Sequence, residues 1–428
     1  MPLSPMLLAT ENQVSSIHHE REAAETRLRR PGVSRIVILL GMTSLLTDLS
    51  AEMVSAILPL YLTVELKLTS LQFGVFEGLY QAVSAPVRIV GGVLTDRYRR
   101  YQEVASLGYG LSAICKLGLL AAGSAWSLIM TFLFLDRAAK GIRTAPRDAL
   151  IALSSTQQTR AEAFGVHRTF DIIGAMLGPL IAFSLLGLIP HGFDAVFVVS
   201  FCFAVIGTGI VTFLVKCQHS PCDQPPLNTI VSWRSIRELF QSSSFRALLT
   251  VCALLSCVTV SDAFIYLVLR HHVDISGQSF PLLYLGTALA TLLLAMPVGR
   301  LADRLGRGRV FWFGYVLLAV VYGILLLPTL GPIMVVCCLA MLGAYYAATD
   351  GVLMAMAGSF IPQPFLTSGL ACLATVAVLM RLLSSVLFGS LWSWRGPEWA
   401  VGVFGIGLLI FLSLSLYIFT KSPELMKG

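Results

Sequence analysis

Charge is what this sequence has least of. Asp, Glu, Lys and Arg together make up 12% of 428 residues, against 56% hydrophobic residues. Soluble domains carry roughly 25% charged residues. A water-soluble fold with half that amount would expose apolar patches far beyond what monomeric proteins tolerate, so a soluble fold is excluded. Several motifs are also missing. No G-x-x-x-x-G-K-[ST] loop occurs, which excludes an ATP-driven pump within this chain. Neither G-x-S-x-G nor H-E-x-x-H is present, and His167 and His191 have no nucleophile or ligand partner in the sequence, so no enzyme and no cofactor are expected. Nine cysteines are present, but seven lie inside apolar runs, where cysteine acts as a small hydrophobe. Cys217 and Cys222 have no second pair to complete a zinc site, so no metal is expected. The net charge of +7 is spread over loops rather than gathered on one soluble face, which excludes nucleic acid as a partner. The first 35 residues hold no apolar h-region, so no cleavable signal peptide is expected, and the first apolar run would itself direct insertion.

What the chain has in abundance is long apolar runs, each near the ~20 residues that cross a hydrocarbon core. They predict spans at 36–63, 71–95, 104–124, 126–151, 164–189, 193–215, 247–269, 280–299, 310–330, 332–358, 367–391 and 398–420. Connections are short except for 216–246, a polar segment with Pro221, Pro225 and Pro226 that separates six spans from six. The expected organisation is a cytoplasmic tail (1–35), a six-helix bundle (36–215), a cytoplasmic central loop (216–246), a second six-helix bundle (247–420) and a cytoplasmic tail (421–428). Nineteen Lys and Arg fall on the side of the N-terminus and three (Lys67, Arg270 and Arg395) on the other, which places both termini in the cytoplasm.

The halves repeat. Gly92-Val-Leu-Thr-Asp96-Arg97 follows the second span, and Gly299-Arg-Leu-Ala-Asp303-Arg304-Leu-Gly306-Arg307 follows the eighth. Gly141 precedes Asp148 by seven residues in the fourth span, as Gly343 precedes Asp350 in the tenth. Asp48 and Asp262 correspond in the first and seventh spans. Duplicated halves of this kind mark transporters whose substrate path runs between them.

Charge inside the spans is the second signal, because an ionised side chain at the bilayer centre costs roughly 2.5–3.5 kcal/mol on insertion scales. In the fourth span Asp136, Lys140, Arg143 and Arg147 follow at helical spacing and share a face, with Arg137 beside them. Counter-charges stand in other spans: Asp48 and Glu52, Glu77, Asp171, and in the second half Asp262, Asp350 and Arg381. Tyr61, Phe76, Tyr80, Tyr109, Phe264, Tyr266, Tyr284, Tyr345 and Tyr346 are the aromatic residues that could line a cavity.

These loops and spans resemble the Major Facilitator Superfamily over essentially the whole membrane region. Gly299 to Arg309 matches the family's signature loop almost residue for residue, while the first copy lacks the second glycine. Arg137 and Gly141 fall on the family's fourth-span R-x-x-x-G motif, and Gly174-Ala-Met-Leu-Gly178-Pro179 on the fifth-span motif found chiefly in its antiporters. The resemblance implies an all-α integral membrane fold of twelve transmembrane helices in two six-helix pseudo-repeats. It implies a proton-coupled transporter in the cytoplasmic (inner) membrane, acting as an antiporter that exports a small organic solute. The alternative is a proton symporter importing a small polar or anionic metabolite. A monomer is expected in the lipid bilayer, with the solute and protons as partners. Proton coupling is expected at Asp48, Glu52, Arg137 and Asp171, with Asp48 first, because Asp262 occupies its place in the second half. Glu77, Lys140, Arg143, Asp262, Tyr345, Asp350 and Arg381 are expected at the substrate cavity. Gly92, Asp96, Arg97, Gly174, Gly178, Pro179, Gly299, Asp303, Arg304, Gly306 and Arg307 are expected to serve conformational gating.

The topology is directly testable. A cysteine placed beside Lys67, Arg270 or Arg395 is expected to react with a membrane-impermeant maleimide added to intact cells. One beside Arg99, Arg237 or Arg307 is expected to stay unlabelled, and reversed labelling at any of these sites removes the twelve-span topology.

Overall fold

A computed structural model describes residues 34–84, 86–88, 90, 91, 95, 100–123, 125–155, 160–215, 242–273, 275–360 and 366–421. The N-terminal tail to residue 33, the central segment 216–241, residues 422–428, and Gly92, Asp96 and Arg97 of the first signature loop lie outside the described residues.

The first half contains α1 (Arg35–Leu60, prolonged by a π-turn, Tyr61–Glu65), α2 (Ser70–Ala82), α3 (Tyr101–Ala121), α4 (Trp126–Leu153), α5 (Arg160–Leu188) and α6 (Phe193–Gly209, with a π-turn at Ile210–Leu214). The second half contains α7 (Ser243–Cys257), α8 (Asp262–His272), α9 (Pro281–Leu305), α10 (Arg307–Leu325), α11 (Pro332–Phe360), α12 (Leu366–Arg395) and α13 (Pro397–Lys421). Because α7 and α8 are two pieces of one crossing, each half crosses six times. Ten crossings are long and apolar enough to span a bilayer. The other two are α2 and α4. The apolar sequence of α4 is broken by Asp136, Arg137, Lys140, Arg143, Arg147 and Asp148, which a membrane admits only if they face the protein interior.

Helix limits follow from local chemistry. At the start of α2 the Thr69 hydroxyl accepts from the Gln72 N–H (3.3 Å) and the Gln72 side chain accepts from the Thr69 N–H (3.0 Å), a reciprocal capping box. Between α9 and α10 the chain turns at Gly306, whose φ of 100° lies in the region that favours glycine. The predicted spans match these helices to within about six residues, except that the second, 71–95, runs beyond α2 (Ser70–Ala82) into a stretch partly outside the described residues, and with one difference of substance. The seventh span, expected to be continuous over 247–269, unwinds between Cys257 and Asp262. The freed backbone groups are taken up from neighbouring helices. The Tyr322 hydroxyl donates to the Val258 carbonyl (3.0 Å) and accepts from the Val260 N–H (2.8 Å), and the Ser384 hydroxyl donates to the Thr259 carbonyl (2.6 Å). Irregular backbone at membrane depth is tolerated only where it is satisfied in this way.

Within the first half, α1 packs on α5 and α6, and α3 on α4 and α6. Within the second, α11 packs on α9 and α10, and α12 on α7. The halves meet mainly through α2 against α12 and α5 against α9. The first of these contacts is made close by glycine. A Cβ at Gly74 would run into the Ser385 carbonyl, one at Gly389 into the Ser70 carbonyl, and one at Gly78 would stand 3.0 Å from the Leu382 carbonyl. Gly187 is covered by the Gln278 side chain. These contacts lie toward the ends where α1 leads into α2 and α12 into α13, called the far side here. The near side is where α1 begins and α13 ends. There Leu301 and Leu305 at the end of α9 are exposed, and nothing stands within 4 Å of a Cβ built on Gly299. Among the described residues the closest approach of the halves is at the far side.

Tyr322→Phe removes one hydroxyl and leaves two backbone groups of the broken crossing without partners. At about 1–3 kcal/mol for each unsatisfied buried group, the variant is expected to unfold in detergent at a clearly lower temperature than the parent. An unchanged melting temperature would show that the break is held by other contacts.

Candidate functional site

A cavity of about 420 Å³ lies between the halves at mid-depth, within the range of small-molecule sites. Both halves build it. Glu52 and Ser55 come from α1, Glu77 and Tyr80 from α2 and Arg137 from α4. Asp262 heads α8 at the broken crossing, Tyr284 belongs to α9, Tyr346 to α11 and Arg381 to α12. Of the residues expected from sequence, Glu52, Glu77, Arg137, Asp262 and Arg381 therefore share one cavity wall.

Their partners differ in kind. The Arg137 guanidinium lies 4.0 Å from the centroid of the Tyr80 ring and donates to the Ser55 hydroxyl (3.3 Å). Glu77, 6% exposed, accepts from the Gln81 amide at 3.0 Å. Asp262 accepts from the Tyr346 hydroxyl. Arg381 has an acid beside it, Asp350, at 3.7 Å, with both side chains well exposed at the near-side mouth. Tyr345, expected at the cavity, is fully buried behind its wall, where its ring packs against Tyr315 (5.3 Å) and Tyr346 (5.0 Å).

The remaining charges of α4 are absorbed inside the first half. Asp48 lies 3.7 Å from both Lys140 and Arg143, and Arg143 stacks over the Tyr109 ring at 4.6 Å. Asp136 accepts from Lys116 (3.1 Å) and from Ser112. Arg147 reaches Asp148 (2.9 Å) and Ser44 (3.2 Å), and Asp148 also meets Arg88 at 3.3 Å. Asp171 stands 3.4 Å from His167, one turn back on α5. Lys140, Arg143 and Asp171 thus serve Asp48 and His167 rather than the cavity wall. The contacts of Asp48 are with Lys140 and Arg143; it is Glu52, one turn along α1, that lies in the same cavity as Arg137.

The gating positions occupy three settings. Gly174 and Gly178 let α5 press on α1. A Cβ at Gly174 would strike the Leu45 carbonyl, and one at Gly178 would stand 2.8 Å from both the Leu49 carbonyl and the Glu52 Cβ, directly behind the cavity acid. Pro179, buried beside Gly178, removes a backbone donor from α5. At the near side Asp303 pairs with Arg307 at 3.2 Å and is largely exposed, as is Arg304, while Gly306 makes the turn. Gly92, Asp96 and Arg97 are outside the described residues.

Sequence reasoning missed Ser55, Gln81 and Ser261, ordinary polar residues that become cavity lining only through packing. It also passed over His167 as partnerless, although Asp171 four residues on was the available signal.

Two six-helix halves around a charged cavity between them are the architecture of a membrane transporter. The chain belongs to the Major Facilitator Superfamily: the family's sequence model matches residues 40–274 and 259–428. An uncharacterised MFS-type transporter of Methanocaldococcus jannaschii is 30% identical over 387 residues, covering 87% of this chain and 93% of that protein. Among solved structures, the nucleoside transporter NupG superposes with a TM-score of 0.75 at 13% identity, covering 90% of this chain and 100% of NupG. The peptide transporter POT in complex with alafosfalin superposes at 0.73 with 16% identity, covering 93% and 97% of the two chains. At such identities the superpositions establish the fold. The family and its structural neighbours are transporters, not enzymes.

The far-side seal is testable. Gly74→Leu has no room against the Ser385 carbonyl and is expected to force α2 and α12 apart. A cysteine replacing Ser261 in the cavity should then be labelled severalfold faster by an impermeant maleimide supplied from the far side. Unchanged labelling would show that the glycine crossing does not hold that side shut.

Proposed function

We propose that this protein is a proton-coupled antiporter of the cytoplasmic membrane that exports a small organic solute through the cavity between its halves. The observation that carries this reading is that three cavity acids from both halves, Glu52, Glu77 and Asp262, form no salt bridge among the described residues. A cavity carboxylate that forms no salt bridge is open to compensation by a proton or by a cationic group of a bound solute. Competition of the two for the same acids exchanges protons entering for solute leaving. Glu52 takes the coupling role, with Arg137 as its electrostatic neighbour, while Asp48 is held by Lys140 and Arg143. Resemblance of Gly174 to Pro179 to the antiporter motif supports export.

In the transport cycle, bundles 36–215 and 247–420 rock about the cavity, joined by the cytoplasmic loop 216–246. Asp303 and Arg304 act as a latch on the near side, the role also expected of Asp96 and Arg97, which lie outside the described residues. One chain supplies the complete cavity, so a monomer suffices. Proton symport importing an anionic metabolite is the second reading, favoured by Arg137, which has no salt-bridge partner among the described residues.

The test uses inverted vesicles with an imposed pH gradient and a panel of candidate solutes. Glu52→Gln is expected to retain solute exchange at equal pH and to lose gradient-driven accumulation. Asp48→Asn is expected to lower the yield of folded protein, because it leaves the buried Arg143 guanidinium without the carboxylate it pairs with. If Glu52→Gln, Glu77→Gln and Asp262→Asn all keep full gradient-driven accumulation, the coupling site is elsewhere, and Asp171 is the next residue to replace.

A further inference from the structure

We infer that the solute is amphoteric, a small organic molecule with one anionic and one cationic group, its anionic group held at Arg137 and its cationic group between Asp262 and Glu77. The inference rests on the cavity being the transport site, as proposed above, and goes on to name what the site takes.

Among the described residues no salt bridge joins one charge of the cavity wall to another, although Arg137 lies within electrostatic reach of Glu52 and Glu77, and Arg381 of Asp262. A guanidinium is permanently charged. Arg137 meets the ring and hydroxyl of Tyr80 and the hydroxyl of Ser55; Glu52, Glu77 and Asp136 lie within its electrostatic reach, but none forms a salt bridge with it. Arg381 is different, because Asp350 already compensates it. The acids Glu77 and Asp262 are met by neutral groups, an amide and a phenol. A purely cationic solute would satisfy the acids and leave Arg137 facing added positive charge. A purely anionic one would satisfy Arg137 and crowd three carboxylates. In a desolvated site either mismatch costs far more than it would in water. A solute with both signs meets Arg137 and the acids together, and protons take up the acids that remain.

The placement of the two signs of charge matters as well. Arg137 stands on α4 of the first half and Asp262 at the head of α8 in the second, so an amphoteric solute would tie the halves together across the cavity. Tyr80, Tyr284 and Tyr346 line the space between the charges. Their rings offer apolar area with a polar tip, which suits a compact solute with an apolar or flat body. The volume of about 420 Å³ admits a molecule of amino-acid to dipeptide size.

The experiment measures thermal stabilisation of the purified full chain by matched trios on common skeletons. One trio is phenylalanine, phenethylamine and 3-phenylpropionate; others are dipeptides with their des-carboxy and des-amino forms. On at least one skeleton the amphoteric member is expected to bind about tenfold or more tightly than both partners, the scale of one charge-assisted contact. Arg137→Gln is expected to erase its advantage over the matched amine, and Asp262→Asn its advantage over the matched acid. Arg137→Lys, which keeps the charge, should preserve most of the preference and so separates recognition from misfolding. Equal binding by the amine or the acid on every skeleton, or binding by no amphoteric compound, overturns the inference. Proton coupling is read separately, by gradient-driven flux of the bound compound in proteoliposomes. Tight amphoteric binding without proton-driven flux would leave the solute class standing and sink the antiport reading, whereas proton-driven flux of amines alone would do the reverse.

Discussion

Charge inside a hydrocarbon slab must be compensated by the protein itself, and the arrangement of the first half follows from that constraint. A soluble helix can turn a charged face to water; α4 cannot. Its Asp136 is met by Lys116 on α3, its Lys140 and Arg143 close on Asp48 of α1, and its Arg147 and Asp148 pair with each other and with Arg88. These contacts link α1, α3 and α4 through their charged side chains. Removing one member would leave a buried charge facing its former partner, which is the costly way to break such a pair. What compensation leaves over is therefore informative. Arg137, Glu52, Glu77 and Asp262 form no salt bridge among the described residues, and all four line the same space.

Close packing without side chains is the second device. The two halves touch where Gly74, Gly78 and Gly389 let α2 and α12 cross backbone to backbone. Apolar burial cannot drive association against lipid tails that are equally apolar, so close van der Waals contact through small residues takes its place. Such a contact can part and re-form at modest cost, which suits an interface that must alternate. Inside the first half the same chemistry serves a fixed purpose. Gly174 and Gly178 seat α5 on α1 and set the position of Glu52 from behind.

The second half uses broken backbone where the first uses charge. The seventh crossing unwinds at mid-depth, and Asp262 restarts it facing the cavity. The break is secured by one phenol and one hydroxyl from neighbouring helices. The two halves are thus alike in helix order and unlike in how they present polar groups.

The number of crossings, their order, the division into halves and the family were legible in the sequence because they depend on hydrophobic run length, loop charge and short signature motifs. Those are properties of neighbouring residues, and the bilayer enforces them one segment at a time. Membership of the charged set was legible too, since any ionised residue in an apolar run is conspicuous. Which charges pair and which stay free was not. Asp48 and Glu52 sit one turn apart on the same helix, and nothing in the sequence tells that Lys140 and Arg143 close on the first while the second enters the cavity beside Arg137. That depends on the rotation of α4 against α1, which packing decides. The break at Val258 to Ser261 was hidden for a related reason: no glycine or proline marks it, and it persists only because Tyr322 and Ser384, far along the chain, supply its hydrogen bonds. Local composition determined what crosses the membrane, whereas the choice of contacts between crossings, made by tertiary packing, decided which residues were left to meet a solute.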